Sequence, residues 1–245
     1  MHENRIDSFE NSPILCQSDI RRMFDAIAKK YDFLNHLLSF CLDFHWRSKV
    51  SKLLRKEDLK YIDLATGTGD LLINVSKKNP QIQNAIGLDA SENMLSICDK
   101  KISKRKLKNK TSLILADIAE IPFSENSFDA ATVGFGIRNT NDIPKALSEI
   151  HRILKPQGHA IILEFFAPQN QVIKTLYLFY LRQIVPLIAK ICLSQKDAYV
   201  YLNKTIEKFC SVGQFRIMMK NAGFINIKAT PFTFGAVYIY HGYKK

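Results

Sequence analysis

The chain lacks the long apolar segments, paired cysteine motifs and repeats that mark several classes of protein. No stretch of about eighteen residues is free of charged side chains, so we expect no membrane-spanning helix. The five cysteines are an odd number without C-x-x-C spacing, which argues against a disulfide scaffold or a zinc site. The first thirteen residues are polar and lack the apolar core of a secretion signal. These absences predict a reduced, cytoplasmic, globular protein without a bound metal.

Negative charge is also scarce, because 35 lysines and arginines face 23 acidic residues and the formal net charge is +12. Such an excess favours an anionic neighbour, and both nucleic acid and an anionic membrane surface qualify. A generally basic composition is the alternative. The densest basic run, Lys100 to Lys110, falls between two predicted strands, where we expect a solvated helix end and loop.

A glycine turn follows the first apolar run. Residues 61–65 predict a buried strand, T-G-T-G-D follows it, and apolar residues then return with helical spacing. Strand, turn and helix start form the first half of a nucleotide-binding βαβ unit. Leu72 replaces the third glycine of a dinucleotide fingerprint, and no P-loop G-K-[ST] is present. The acid at the end of the turn repels a pyrophosphate but can pair with an ammonium group, which favours S-adenosylmethionine. The candidate cofactor-binding residues are Gly67, Thr68, Gly69 and Asp70, and an ordinary strand-to-helix turn is the alternative.

Asp89 ends the next apolar run, about twenty residues after the glycine turn. At this spacing a carboxylate at the end of the second strand meets a ribose hydroxyl pair. Two hydroxyl donors on one carboxylate form charge-assisted hydrogen bonds and select a ribonucleoside. The alternative is a solvated acid that caps the helix starting at Ser91.

Strands and helices alternate through residues 57–165, which we predict to be the cofactor-binding core of a single domain. Strands are predicted at 60–65, 84–89, 112–116, 127–135 and 159–164, with helices at 70–79, 92–103 and 143–154. The alternation predicts an α/β fold with a mostly parallel sheet, whose ligands bind beyond the carboxyl ends of the strands. The polar or glycine-rich segments expected there are residues 67–70, Asp89, Asp117 and residues 134–139.

The segments that flank this core are predicted to cover it. Residues 1–18 form a loose arm, and residues 19–56 form a helical lid with one helix to about Phe44 and another from His45 to about Arg55. Residues 166–212 form an insertion whose apolar centre, 175–193, is interrupted by charged residues and a proline. The insertion is expected to cover an apolar substrate or to contact a membrane, and packing on the core is the alternative. Residues 213–245 restore the fold with a helix and two strands.

Several stretches resemble one family, the ubiquinone/menaquinone biosynthesis C-methyltransferases. The resemblance rests on F-D-A-I-A-K-K-Y-D-F-L-N at 24–35, D-L-A-T-G-T-G-D at 63–70, F-G-I-R-N at 135–139 and G-Y-K at 242–244. It runs from about residue 22 to the C-terminus. The first and third motifs are specific to that family, whereas the glycine turn is shared by many methyltransferases that use S-adenosylmethionine.

The resemblance implies a class I, Rossmann-like methyltransferase fold with seven strands in the order 3-2-1-4-5-7-6 and the last strand antiparallel. It implies methyl transfer from S-adenosylmethionine to a ring carbon of a polyprenylated hydroquinone. The family's cofactor contacts correspond here to Thr68, Asp89, Asp117 and Ile118. Many members have serine where this chain has Gly134, so that position can supply only backbone atoms. Demethylmenaquinol is the favoured acceptor, and the ubiquinone precursor is also consistent with the family.

A quinol ring carbon becomes nucleophilic as a phenol loses its proton, which requires a base or a cation near the phenol. Arg138 and Asn139 end the loop after the fourth strand, where the acceptor is expected, and Tyr31 on the lid can hydrogen-bond the second quinol oxygen. A salt bridge from Arg138 to Asp142 or Asp32, and lid packing by Tyr31, are the alternatives. Among the histidines, His36 on the lid is the remaining candidate base.

Two other functions compete with this interpretation. The positive charge favours a nucleic-acid methyltransferase, but no N-P-P-Y-type motif follows the fourth strand and no basic module is added. A non-catalytic protein that binds S-adenosylmethionine is the second alternative. We therefore expect a polyprenylated quinol and an anionic membrane surface as partners, no nucleic acid, and a location in the cytoplasm or at the inner face of the membrane. A homo-oligomer is consistent with the sequence.

Overall fold

A seven-stranded mixed sheet forms the centre of the protein, of which the computed structural model describes residues 17–192 and 197–245. The strands are β1 (Lys60–Leu64), β2 (Asn84–Asp89), β3 (Thr111–Leu115), β4 (Phe128–Gly134), β5 (Leu154–Phe165), β6 (Ile225–Phe232) and β7 (Val237–Tyr243). Their order is β3-β2-β1-β4-β5-β7-β6, and β7 runs antiparallel to both of its neighbours. This order and direction confirm the topology that the resemblance implies.

Helices cover both faces of the sheet. They are α1 (Gln17–Leu38), α2 (Leu42–Ser51), α3 (Asp70–Lys78), α4 (Glu92–Lys104), α5 (Ile143–Ile153), α6 (Gln171–Phe179), α7 (Val185–Cys192), α8 (Asp197–Lys208) and α9 (Val212–Asn221). A π-helical turn, Tyr180–Ile184, joins α6 to α7. The predicted arm lies outside the described residues as far as residue 16, as do residues 193–196 of the predicted insertion. No described helix is both long enough and apolar enough to cross a membrane.

Local side chains explain several helix ends. Ser91 begins α4 by accepting the backbone N–H of Met94 at 3.1 Å, and Asp142 begins α5 by accepting that of Lys145 at 2.9 Å. Ser211 and Gln214 form a reciprocal capping box at the start of α9. Gly223 follows α9 with φ of 101°, a conformation that favours glycine and explains the predicted stop there.

The sheet separates two hydrophobic cores, because successive strand residues point to opposite faces. Ile62 and Leu64 of β1 pack with α5 and α9, whereas Tyr61 packs with α2, α3 and α4. A smaller cluster joins α1 to the segment that follows β5 through Leu34, Leu181, Val185 and Ile206. Helix α1 and the segment after β5 therefore meet over the carboxyl end of the sheet.

The clearest differences from the predicted bounds concern the first two helices and β5. The first helix ends at Leu38 instead of Phe44, because Phe40 and Cys41 have φ of 51° and 60°, and α2 then ends at Ser51. The apolar sequence pattern continues across this break, but Phe40 and its apolar neighbours are exposed and do not form one buried helix face. Strand β5 begins at Leu154 instead of His159, since Leu154 pairs with Phe128 before the register shifts.

Candidate active site

The glycine turn after β1 has a backbone conformation that favours glycine at two positions. Gly67 and Gly69 have φ of 56° and 84°, and a Cβ on Gly69 would lie 2.2 Å from the sulfur of Cys98. The N–H of Gly67 donates to Oδ2 of Asp89 at 2.7 Å. The turn and the acid at the end of β2 are therefore in direct contact, as their spacing in the sequence predicts.

Asp63 lies within β1 and stabilises the start of this turn through hydrogen bonds. It accepts hydrogen bonds from the hydroxyls of Thr66 at 2.6 Å and Thr132 at 2.5 Å, and Thr132 also bonds to Tyr61. Burial raises the pKa of Asp63 to about 6. The sequence places Asp63 in a predicted buried strand and at the start of the D-L-A-T-G-T-G-D motif, but predicts no role for its side chain. A charged residue inside an otherwise apolar strand was the signal for this role.

Asp89 ends β2, and backbone N–H groups hold its carboxylate in place. Its Oδ2 accepts the N–H of Gly67, and its Oδ1 accepts the N–H of Ser91 at 2.9 Å. Burial raises its pKa, although these hydrogen bonds oppose the change. The alternative of a simple helix cap does not describe this geometry, because the Ser91 hydroxyl caps α4.

Asp70 is the first residue of α3, and its carboxylate pairs with Lys101. The ammonium of Lys101 also contacts Asp32 of α1 at 2.7 Å, and the hydroxyl of Thr68 donates to Asp32. Burial opposes ionisation of Asp70, but the charges of Arg47 and Lys101 outweigh it and lower its pKa. Lys101 is therefore an exception to the predicted solvated run of basic residues, because it forms ion pairs with both Asp32 of α1 and Asp70 at the end of the glycine turn.

The predicted cofactor residues other than Gly69 line one cleft, which encloses about 1010 Å³ including the part open to solvent. Asp117 accepts the N–H of Ala119 at 2.8 Å, and Ile118 is buried. A Cβ on Gly134 would lie 3.0 Å from Leu71, so a serine there would crowd that side chain. The cleft thus brings together Gly67, Thr68, Asp70, Asp89, Asp117, Ile118 and Gly134.

A second, apolar cleft of about 1180 Å³ adjoins the first. Its aromatic lining consists of Tyr31, Phe40, Trp46, Phe135, Phe165, Tyr177, Tyr180 and Tyr201. The two clefts share four lining residues, which are Tyr31, Arg47, Phe135 and Asn139. A polar, acid-lined space therefore meets a mostly aromatic one at a common wall.

Phe135 turns the chain at this wall. It is buried with φ of 59°, and a Cβ on Gly136 would lie 2.5 Å from that of Ala65. A bulky residue in the left-handed region is rare and is held only by its surroundings. The short 3₁₀ helix Ile137–Asn139 follows and directs Arg138 and Asn139 toward the apolar cleft.

Arg138 pairs with Glu164 of β5, and not with Asp142 or Asp32 as the alternative proposed. Its Nη1 donates to Oε1 of Glu164 and, at 2.8 Å, to the carbonyl of Phe135. The Glu164 side chain is 0% exposed, and burial raises its pKa although Arg138 opposes the change. Sequence analysis missed Glu164, although an acid at the end of an apolar strand was again the available signal.

Two polar atoms beside the apolar cleft remain unpaired among the described residues. They are Nε of Arg138 and Oδ1 of Asn139, and both are buried. A buried polar group without a partner costs about 1–3 kcal/mol, so such groups in a cleft mark positions where a ligand's polar atoms can bind. A donor and an acceptor are thus offered next to each other.

Tyr31 and His36 come from the leader helix. Tyr31 lines both clefts, and burial raises its pKa, although the charge of Arg138 opposes the change. His36 is not among the residues that line either cleft, and its Nδ1 lies 2.7 Å from Asp43. His36, Asp43 and Asp70 could hold a cation by distance, but Arg47 and Lys101 already neutralise these acids.

Comparisons with known proteins place these observations in context. The sequence profile of the ubiE/COQ5 methyltransferase family matches residues 14–244. A protein named ubiquinone/menaquinone biosynthesis C-methyltransferase UbiE, from Geotalea uraniireducens (strain Rf4), is 39% identical over 92% of this chain and 96% of its own length. A demethylmenaquinone methyltransferase from Chlorobaculum tepidum is 40% identical over 91% of each chain.

Solved structures agree on the fold. The crystal structure of an S-adenosylmethionine-dependent methyltransferase from Thermotoga maritima, described as a possible histamine N-methyltransferase, superposes with a TM-score of 0.65. It is 20% identical and covers 91% of this chain and 99% of its own. This likeness confirms the class I methyltransferase fold.

Proposed function

The chain belongs to the ubiE/COQ5 methyltransferase family, and from this premise we propose that it methylates a ring carbon of demethylmenaquinol to give menaquinol. The polyprenyl benzoquinol precursor of ubiquinone is the second acceptor that we propose. The observation that carries the proposal is the aromatic cleft beside the acid-lined one, with Arg138 and Asn139 at its wall.

The residues of the first cleft fit S-adenosylmethionine. Asp89 keeps free lone pairs for two ribose hydroxyls while backbone N–H groups hold its oxygens in place. We assign Thr68, Asp117, Ile118 and the backbone of Gly67 and Gly134 to the nucleoside, and Asp70 to the ammonium group, while Gly69 shapes the turn. When bound, this cofactor supplies a methyl group that its sulfonium already activates.

The chain's own task is then to align the quinol and to favour its ionised form. We propose that Asn139 Oδ1 accepts a quinol hydroxyl and that Arg138 Nε donates to the oxygen that becomes negative. An oxyanion in a cleft with few polar groups gains more from a fixed cation than it would in water. Tyr31 holds the second quinol oxygen, and α1 with the segment after β5 excludes water as a lid.

The lining also bears on the competing functions. A nucleic-acid acceptor fits this cleft poorly, because its described lining is aromatic and aliphatic except for a few polar groups. We therefore propose that no nucleic acid is methylated. His36 is less suited to be the base than a water held by Arg138 or Asn139, since its Nδ1 already contacts Asp43.

We further propose that the segment after β5 contacts an anionic membrane from the cytoplasmic side. Leu181 and Val185 line the apolar cleft, whereas Val172, Leu176 and Phe179 recur at helical spacing on an exposed face. A helix that is apolar on two faces requires a second apolar neighbour. A lipid surface fits, because the prenyl chain of the proposed substrate resides there and the net charge is +12.

Labelled methyl transfer tests the proposal directly. The purified chain would be given labelled S-adenosylmethionine in detergent with reduced demethylmenaquinone, oxidised demethylmenaquinone, the reduced ubiquinone precursor or bulk tRNA as acceptor. We expect label on the quinols and none on the oxidised quinone or tRNA, because only the reduced ring is electron-rich. Label on tRNA would overturn the acceptor, and cofactor binding without label on any acceptor would favour the non-catalytic alternative.

A further inference from the structure

Arg47 lines the cofactor cleft and carries a charge to which no role has yet been assigned. Among the described residues that line this cleft, it alone carries a positive charge, whereas Asp63, Asp70, Asp89 and Asp117 are acids. It also lines the apolar cleft. Its side chain is 10% exposed, so its charge lies within the site.

Three contacts hold the guanidinium of Arg47 in place. Nη1 donates to Oδ2 of Asp43 one helical turn earlier on α2, and the guanidinium carbon lies 5.7 Å from the centroid of the Phe135 ring. Nη2 lies 3.9 Å from Oδ2 of Asp70. Lys101 bonds to the other oxygen of Asp70, Oδ1. The oxygen of Asp70 that faces Arg47 is therefore not the one that Lys101 contacts, and His36 Nε2 lies 3.7 Å from it.

Asp70 and Arg47 together are complementary to an α-amino acid. The methionine end of S-adenosylmethionine carries an ammonium and a carboxylate on one carbon, and an anion and a cation that lie side by side can bind both groups. We infer that Arg47 binds the carboxylate of this methionine group while Asp70 binds the ammonium. The inference rests on the proposed function for its ligand but does not depend on which acceptor is methylated.

A purely structural role for Arg47 would be to neutralise Asp43, which is 2% exposed and also contacts His36. The two roles make different predictions for a ligand without the carboxylate. A structural arginine would affect all adenosyl ligands equally, whereas a carboxylate-binding arginine discriminates between ligands that differ only in that group.

Isothermal titration separates the two roles, using S-adenosylhomocysteine and its decarboxylated analogue S-adenosyl-3-thiopropylamine. We expect the unmodified protein to bind S-adenosylhomocysteine roughly 10- to 100-fold more tightly, as one charge-assisted hydrogen-bonded pair supplies. Arg47→Met is expected to lose this preference by weakening only the carboxylated ligand. Arg47→Lys is expected to keep part of the preference.

The matched control is Arg182→Met, which removes an arginine from an exposed pair with Glu207 and should leave both affinities unchanged. Arg47→Met leaves the buried Asp43 without its counter-ion. The double variant Asp43→Asn/Arg47→Met, which removes that unpaired charge, is therefore measured as well. Full preference retained in either folded variant would overturn the inference.

Failure of the proposed function gives a different result. If the unmodified protein discriminates the two ligands through Arg47 but methylates no quinol, the inference stands and the acceptor is wrong. If it binds neither adenosyl ligand, the inference and the cofactor assignment are both overturned.

Discussion

Glu164 accepts hydrogen bonds from both the side chain and the backbone N–H of Arg138, the latter at 3.3 Å. It also accepts the N–H of Phe165 at 2.8 Å. Glu164 is fully buried and lines neither cleft, so in the proposed mechanism we expect it to act through Arg138. The pair fixes the guanidinium at the cleft wall and compensates its charge.

Glu164→Gln is expected to change the pH dependence of turnover. The amide oxygen can still accept one N–H, but Arg138 loses its counter-ion and its charge acts more strongly on the quinol. The pKa of the bound quinol should fall, because a cation favours phenolate. The acidic limb of the profile of kcat against pH should therefore move to lower pH.

Arg138→Met is the comparison for this variant and is expected to lower kcat by roughly 10²-fold while the affinity for S-adenosylhomocysteine is unchanged. Turnover of Arg138→Met within a few fold of the unmodified enzyme would remove Arg138 from the mechanism. Complete inactivity of folded Glu164→Gln at every pH would instead indicate that Glu164 itself takes the proton.

Asp89→Asn is expected to weaken S-adenosylhomocysteine binding by roughly 10- to 100-fold, because two ribose hydroxyls lose a charged acceptor. Asp99→Asn is the control, since Asp99 is exposed and pairs only with Lys108 among the contacts described. Calorimetry measures both affinities. Equal affinity in Asp89→Asn and the unmodified protein would show that the ribose binds elsewhere.

A histidine pair between β5 and β7 is expected to make stability depend on pH. His159 Nδ1 lies 2.8 Å from His241 Nε2, and its Nε2 lies 2.7 Å from Asp58. Burial, together with the charges of His159 and Arg55, lowers the pKa of His241 to about 4. The unfolded chain binds this proton near pH 6.5, so the free energy of unfolding should fall as pH drops from about 6.5 to about 4.

Chemical denaturation of the unmodified protein and His241→Gln at pH 4.5 and pH 7 isolates this effect. The unmodified protein should lose about 1–3 kcal/mol more than the variant between these pH values, since the ring is only partly buried. Asp63, with its raised pKa of about 6, acts in the opposite direction in both proteins and cancels in the difference. Parallel pH profiles would contradict the assignment.

The exposed face of α6 is expected to bind anionic vesicles. Replacing Leu176 and Phe179, which are 66% and 59% exposed, by glutamate should weaken sedimentation with phosphatidylglycerol vesicles at least about 10-fold, through lost apolar burial and added charge. Ile217→Glu, an equally exposed change on α9, is the control. Unchanged sedimentation would exclude this face, and a loss of dimer mass in the double variant would assign it to a second copy of the chain.

Much of the fold was predictable because local pattern and turn chemistry act over short distances. The bounds predicted for β2 are those of the structure, and Ser91 and Gly223 mark helix ends where expected. The first helix was extended too far because the left-handed residues Phe40 and Cys41 carry no glycine or proline signal. The apolar residues at this break, such as Phe40, are exposed, so their pattern did not indicate a buried helix.

Some residues of the candidate site could likewise be located from the sequence, whereas others could not. The glycine turn, Asp89, Asp117 and F-G-I-R-N could be located from the sequence, because parallel strands bring their carboxyl ends to one edge. The residue pattern alone was therefore enough to predict the sheet and to place the candidate site at its carboxyl edge. The ion pairs of the site follow from tertiary packing. Arg138 pairs with Glu164, Lys101 pairs with Asp32 and Asp70, and Arg47 lies near Asp70. These side chains come from elements far apart in the chain, and which opposite charges meet depends on helix packing that no local pattern encodes.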